Sequence, residues 1–235
     1  MTPVLRLFLL AVCVSVSAAP ALPQDPLIAF PKNYKLILDN DDVSVIRVHY
    51  DPHEKIGVHD HSKFPTIYVY LDDAGQVRFT HDETPPFIMA RPPVKQGSFR
   101  ISPGRVERHS VENQSDQSSD FLRIELKKIP LENTLHPVRG TVPATLVAGV
   151  EEAVSAPELT IQRIVCRQTP CVGAASAPTL LVAISPASIT TPNHPGIDMK
   201  PGEVLWLSTA QPLQVEAESG VPAHLLQISL HRPAK

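Results

Sequence analysis

Gly97-Ser-Phe-Arg-Ile-Ser-Pro103-Gly-Arg-Val-Glu-Arg-His109-Ser-Val-Glu-Asn113, taken together with His59-Asp60-His61 upstream of it, decides how this chain reads. On a β-strand, residues i and i+2 project from the same face. The imidazoles of His59 and His61 therefore point together, and His109 on a neighbouring strand can close a facial site around a metal ion. Imidazole is the commonest protein ligand for first-row transition metals. The pattern implies a metal-binding β-barrel and says little about what the metal would act upon.

Short β-rich runs surround these segments, punctuated by Pro and Gly, and no long segment carries helical periodicity with caps. Val43–Tyr50 alternates and is β-branched, and Thr66–Leu71 is richer still. Val77–Thr80, Gly97–Ile101, Arg108–Val111 and Phe121–Leu126 complete a set of strands whose close spacing signals a sandwich or barrel. The second half repeats this order. Leu159–Val165 mirrors Val43–Val48, Pro178–Ile184 mirrors Pro65–Leu71, and Lys200–Leu207 mirrors Lys95–Ile101. His224 precedes a run matching Phe121–Leu126.

The repeat does not extend to the histidines. Gly173-Ala-Ala175 stands opposite His59-Asp60-His61, and Leu213 falls near the position of His109. Joint loss of all three fits a shared role in the first half and leaves the second as support, lid or interface.

The formal net charge of −3 and the absence of a Lys/Arg run argue against nucleic acid or an anionic membrane as partner. At the N-terminus, Arg6 is the only charged side chain before Asp25, and Leu7–Val16 is an apolar run of signal-peptide length. It is too short to span a bilayer, so stable membrane insertion is not expected. Residues 1–19 read as a signal peptide, with small residues permitting cleavage after Ala19 or at Ala21, and the expected location is extracellular or periplasmic. Cys13 would leave with it. Cys166 and Cys171 would remain, spaced for a local disulfide in an oxidising compartment, the alternatives being free thiols or a zinc half-site. Neither a nucleophile elbow nor a phosphate-cradling glycine loop is present.

These residues resemble the cupin superfamily, and their duplication resembles a bicupin with one degenerate half. The family's second motif, G-x5-P-x-G-x2-H-x3-N, is matched by Gly97, Pro103, His109 and Asn113, with one extra residue before His109 and with Gly104 directly after Pro103. Of the first motif, G-x5-H-x-H-x3,4-E-x6-G, His59 and His61 stand in place, the glycine is displaced to Gly57, and the glutamate position falls on Pro65 or Thr66. The resemblance implies an all-β chain of two tandem jelly-roll barrels after the leader: residues 27–130 with the metal site, a linker at 131–149, and residues 150–233 without ligands. It also implies metal held inside the barrel mouth.

Without the glutamate the ligand set of His59, His61 and His109 is neutral. It would accept a divalent Fe, Mn, Zn, Ni or Cu ion, since geometry and availability select among them. Glu107, two residues before His109, is the candidate proton carrier; its bland alternative is a solvated carboxylate paired with Arg105 or Arg108. Thr66, Tyr68, Tyr70 and His81 are candidate pocket residues, although such tyrosines commonly just pack. Two functional classes stay open: a metal-dependent enzyme, dioxygenase-like or isomerase-like, acting on a small organic molecule, and a non-catalytic cupin that binds a small ligand or scaffolds an assembly. A homodimer is compatible with either.

Overall fold

A computed structural model describes residues 24–129, 138–167, 170–175, 177–218 and 220–231; the expected leader lies outside them. A single helical turn, α1 (Pro26–Ala29), is capped by Asp25, whose carboxylate accepts from the Leu27 amide. No helix among the described residues is long and apolar enough to cross a membrane. Everything else regular among the described residues is strand.

The first half contains β1 (Tyr34–Asp39), β2 (Val43–Tyr50), β3 (Lys55–His61), β4 (Thr66–Tyr70), β5 (Val77–His81), β6 (Phe87–Arg91), β7 (Phe99–Ser102), β8 (Glu107–Asn113) and β9 (Ser119–Leu126). β10 (Val138–Gly140), inside the expected connector, pairs antiparallel with β7. The second half contains β11 (Gly149–Ser155), β12 (Leu159–Cys166), β13 (Cys171–Ala175), β14 (Thr179–Ala183), β15 (Ala187–Thr191), β16 (His194–Met199), β17 (Val204–Leu207), β18 (Gln211–Ala217) and β19 (Ala223–Leu230).

The strands form four sheets, ordered β1-β2-β9-β4-β7-β10, β3-β8-β5-β6, β11-β12-β19-β14-β17 and β13-β18-β15-β16. Adding ten to each strand number converts the shared order of the first half into that of the second. The sequence repeat is therefore a structural one. Cys166 and Cys171, at the end of β12 and the start of β13, are disulfide-bonded with Cα atoms 5.7 Å apart.

Alternation along the strands assigns each residue to one of three cores. In β9, Leu122, Ile124 and Leu126 join Val43, Val45, Ile67, Val69 and Ile101 on one face of their sheet. That face packs on Leu159, Ile161, Leu180, Val182, Leu226 and Ile228 from the second half. The other face of β9 presents Phe121, Arg123 and Glu125 toward the inside of the first half, beside Tyr50 and Tyr68. The inside of the second half is filled by Ile164, Leu181, Ile189, Leu213, Val215 and their neighbours. The two halves thus pack sheet against sheet; the interior of the second is apolar, while that of the first carries charge.

Their junction is pseudo-symmetric. Gly97, at φ +77°, brings its backbone against His224, Ile184 and Arg163; Gly202, at φ +84°, does the same against Leu71 and Arg47. Each is a left-handed position where a Cβ would be strained. Arg47 pairs with Asp120, and Arg163 correspondingly donates to His224 and to the carbonyls of Gly97 and Thr141. The glycine that opens the second sequence motif is therefore an inter-half contact.

Candidate metal centre

The antiparallel ladder of β3 and β8 places His59 opposite His109, Asp60 opposite Arg108 and His61 opposite Glu107. On the other side of β8, β5 places His81 opposite His109. Directly paired residues on adjacent strands have side chains within reach of one another. Four imidazoles therefore meet: ring centroids lie 4.8 Å apart for His59–His61, 5.0 Å for His59–His109 and His61–His109, and 5.3 Å for His81–His109. The intervening Asp60 turns outward, where it accepts from the Gln24 amide and from Arg108, and so fixes the rim.

Proton positions follow from the partners. Nδ1 of His59 lies 2.8 Å from the Gly57 carbonyl oxygen. A carbonyl only accepts, so Nδ1 carries the proton and the Nε2 lone pair faces Tyr34 and His61. That Nε2 lies 3.1 Å from Nε2 of His61 and 2.9 Å from the hydroxyl of Tyr34, which donates to it; Tyr34 in turn is 2.8 Å from the Tyr50 hydroxyl. Both ring nitrogens of His109 are buried with no hydrogen-bond partner. Such an omission costs about 1–3 kcal/mol per group unless something else fills the place.

These features fit a divalent ion. At metal–nitrogen distances of about 2.0–2.1 Å, two imidazoles on one ion stand about 3.0–3.4 Å apart, which the His59–His61 pair meets as it stands. The ligand atoms of His59, His61 and His109 all lie within 4.8 Å of one another, so closing the triad needs a draw-in of at most about 1.8 Å between any two of them. Burial holds the charged form of each ring down: His59 and His61 are depressed, and His109 is lowered to about 2 by burial first and then by His59, His81, Arg123 and Arg105. Neutral imidazole is the form that ligates.

Glu107 lines the same cavity, with one carboxylate oxygen 3.2 Å from Arg105 Nε and the other 4.0 Å from His109 Nδ1. It thus meets both the site and the arginine. Tyr68, Tyr70 and His81 line the cavity as well. Thr66 is buried, but its hydroxyl donates to the Phe64 carbonyl and it is not among the lining residues.

Sequence reasoning passed over Tyr34, Tyr50, Arg91, Arg100 and Arg123, all of which line the cavity. Arg123 donates to Glu125 at 3.0 Å and to the Tyr68 hydroxyl at 2.8 Å, deep inside. The signal that could have found it is the alternation of Phe121-Leu-Arg-Ile-Glu-Leu126 itself. Its purely aliphatic face needed a partner sheet, which turned the arginine inward. The cavity volume open to water centres is about 30 Å³. At roughly 10–15 Å³ for each such position, that is space for about two waters.

No family model matches the chain, and no curated protein matches it. Solved structures do. Protein Ylba from E. coli aligns over 83% of this chain and 79% of its own at 9% identity, with a TM-score of 0.58. YhaK from Escherichia coli aligns over 84% and 91% at 14% identity, with a TM-score of 0.56. Oxalate decarboxylase from Bacillus subtilis, described with Mn(II) centres, aligns over 89% and 72% at 12% identity, with a TM-score of 0.52. The matching structures are cupin-family structures. At such identities the likeness establishes the fold alone.

Proposed function

We propose that this chain is an exported, two-barrel cupin whose first half binds one divalent transition metal through His59, His61 and His109 and turns over a small organic molecule there. Each half is read as a jelly-roll barrel, with residues 27–130 carrying the site and 150–233 bracing it. The observation that carries the metal reading is the Nε2–Nε2 spacing of 3.1 Å between His59 and His61, beside a His109 ring with two unpartnered nitrogens. Export is supported by the leader composition and by the Cys166–Cys171 bond, since reducing compartments keep thiols free.

When bound, the metal supplies Lewis acidity or, if redox-active, a centre for dioxygen chemistry. The protein does the rest. The Gly57 carbonyl fixes the His59 tautomer, and the Tyr34–Tyr50 pair holds hydroxyl groups beside it. Glu107 is positioned to move a proton, with Arg105 paired to its carboxylate. The second reading is a cupin that binds metal or ligand without turnover, favoured by the small cavity and the missing motif glutamate.

The experiment is metal analysis of mature protein after exposure to Fe, Mn, Zn, Ni and Cu, compared with His59→Ala and His109→Ala. About one equivalent in the wild type and loss in both variants is expected. Less than a tenth of an equivalent with every metal would end the metal reading. Dioxygen uptake with a panel of thiols, diketones and phenols separates turnover from binding.

A further inference from the structure

Beside the histidine cavity, on the β6–β7–β10 side, lies a second and larger hollow of about 430 Å³, within the range of small-molecule sites. Tyr70, Met89, Arg91 and Arg100 line both spaces, so the two abut, and the larger adds Pro92 and Arg139. Its walls carry no acidic residue, and Glu107 is the only one in the cavity next door.

The shared arginines have hydroxyl and ring partners, Tyr70 and Ser119 for Arg91 and Tyr68 for Arg100, but no carboxylate among the described residues. Arg91 is buried; one Nη donates to Ser119, and its guanidinium lies 5.0 Å from the Tyr70 ring centroid. Arg100 lies 4.4 Å from the centroid of Tyr68. The Nε atoms of both are buried without an acceptor, and neither forms an ion pair with a described carboxylate. Asp72 is near enough to Arg91 to feel its charge, but its oxygens are committed to the Asp120 amide and to Ser118. A guanidinium without a counter-ion is expensive to hold in a protein interior, which applies to buried Arg91 and in smaller measure to half-buried Arg100. A planar anion would relieve this, because the guanidinium fork matches a carboxylate in shape as well as charge.

We propose that Arg91 and Arg100 form a carboxylate subsite at the junction of the two spaces, taking a small organic acid whose apolar body occupies the larger hollow. This deepens the metal reading by assigning a substrate class: the acid's head would lie between the arginines, on the side facing the histidines. The subsite itself does not depend on the metal being there.

The test uses the whole mature chain loaded with zinc, with benzoate, benzamide and phenyl phosphate as probes in calorimetry or ligand-observed NMR. Benzoate should bind, and benzamide, its neutral isostere, should bind at least tenfold more weakly, a difference of about 1.4 kcal/mol. Arg100→Met should weaken benzoate by about tenfold while zinc content stays at the wild-type level. Arg100→Lys, which keeps charge but loses the fork, should fall between. Equal binding of benzoate and benzamide, no benzoate binding at 10-fold excess over a roughly millimolar Kd, or tighter binding of phenyl phosphate than of benzoate would each overturn the proposal. His109→Ala separates the two ideas. Loss of zinc from this variant with the benzoate preference intact supports both ideas; zinc retained in full sinks the metal reading and leaves the subsite standing, whereas a wild-type chain that holds zinc but ignores benzoate sinks the subsite alone.

Discussion

The buried guanidinium of Arg163 donates to the Nε2 of His224, on the strand beside it, at the seam between the two halves. At the equivalent place in the first half, Arg47 meets the carboxylate of Asp120. A carboxylate tolerates an arginine at any ordinary pH. Imidazole tolerates it only while neutral, and His224 is lowered to about 4 by burial and then by Arg163.

The sign of the pH effect follows. A histidine whose folded pKa lies below its unfolded value of roughly 6.5 binds fewer protons when folded, so stability falls as pH drops from there toward 4. His224 should account for about 2 kcal/mol lost between pH 7 and pH 5. Urea unfolding at the two pH values should show this loss reduced in His224→Gln, which keeps an acceptor for Arg163 and does not titrate. An unchanged pH dependence would exclude the residue as its source.

Gly97→Ala should destabilise the fold by about 2–4 kcal/mol, combining the left-handed backbone penalty with overpacking. The added Cβ would lie 2.7 Å from Cε1 of His224, whose ring is fixed by Arg163. Gly173→Ala is the control: nothing lies within 4 Å of its Cβ, and it should shift stability by less than about 0.5 kcal/mol. Thermal melts of the two variants decide the matter.

Arg123→Met leaves the buried Glu125 carboxylate with the Ser62 hydroxyl and without its cation. Breaking such a pair from one side costs about 3 kcal/mol. Arg123→Met combined with Glu125→Gln should recover at least half of that in denaturant unfolding, because the orphaned charge is then gone.

Ile161→Ala, at the centre of the shared core and fully buried, should lower stability by about 3 kcal/mol. Trp206, the chain's only tryptophan, packs against that core and reports on it. Its fluorescence and the loss of bound metal from the first half should shift together in denaturant. A metal transition that stays in place while the tryptophan signal moves would mean that the halves unfold independently.

The histidine triad was legible because strand alternation and ladder register are local rules. His59 and His61 share a face by spacing alone, and the pairing of Gly173 with Leu213 repeats that of His59 with His109. β6 was not legible: Phe87-Ile-Met-Ala-Arg91 lacks alternation and is bracketed by Pro85, Pro86, Pro92 and Pro93. That strand supplies Arg91 to the cavity. Tyr34 was missed for a different reason. It belongs to no motif, and only the packing of β1 beside β2 brings its hydroxyl to His59.

The sequence by itself determined an all-β chain, its internal repeat, and which half keeps the imidazoles, since these depend on periodicity and residue type. Tertiary structure decided which face of each strand is the inside. Arg123 and Glu125 on β9 would sit in solvent in an isolated sheet, but the aliphatic face between them is claimed by β12, β14 and β19 of the second half. Burying that apolar surface against another sheet outweighs the cost of burying two paired charges, and so it drives the arginine into the cavity. The interior of the first half carries charge because the opposite face of β9 is aliphatic and packed on the second half.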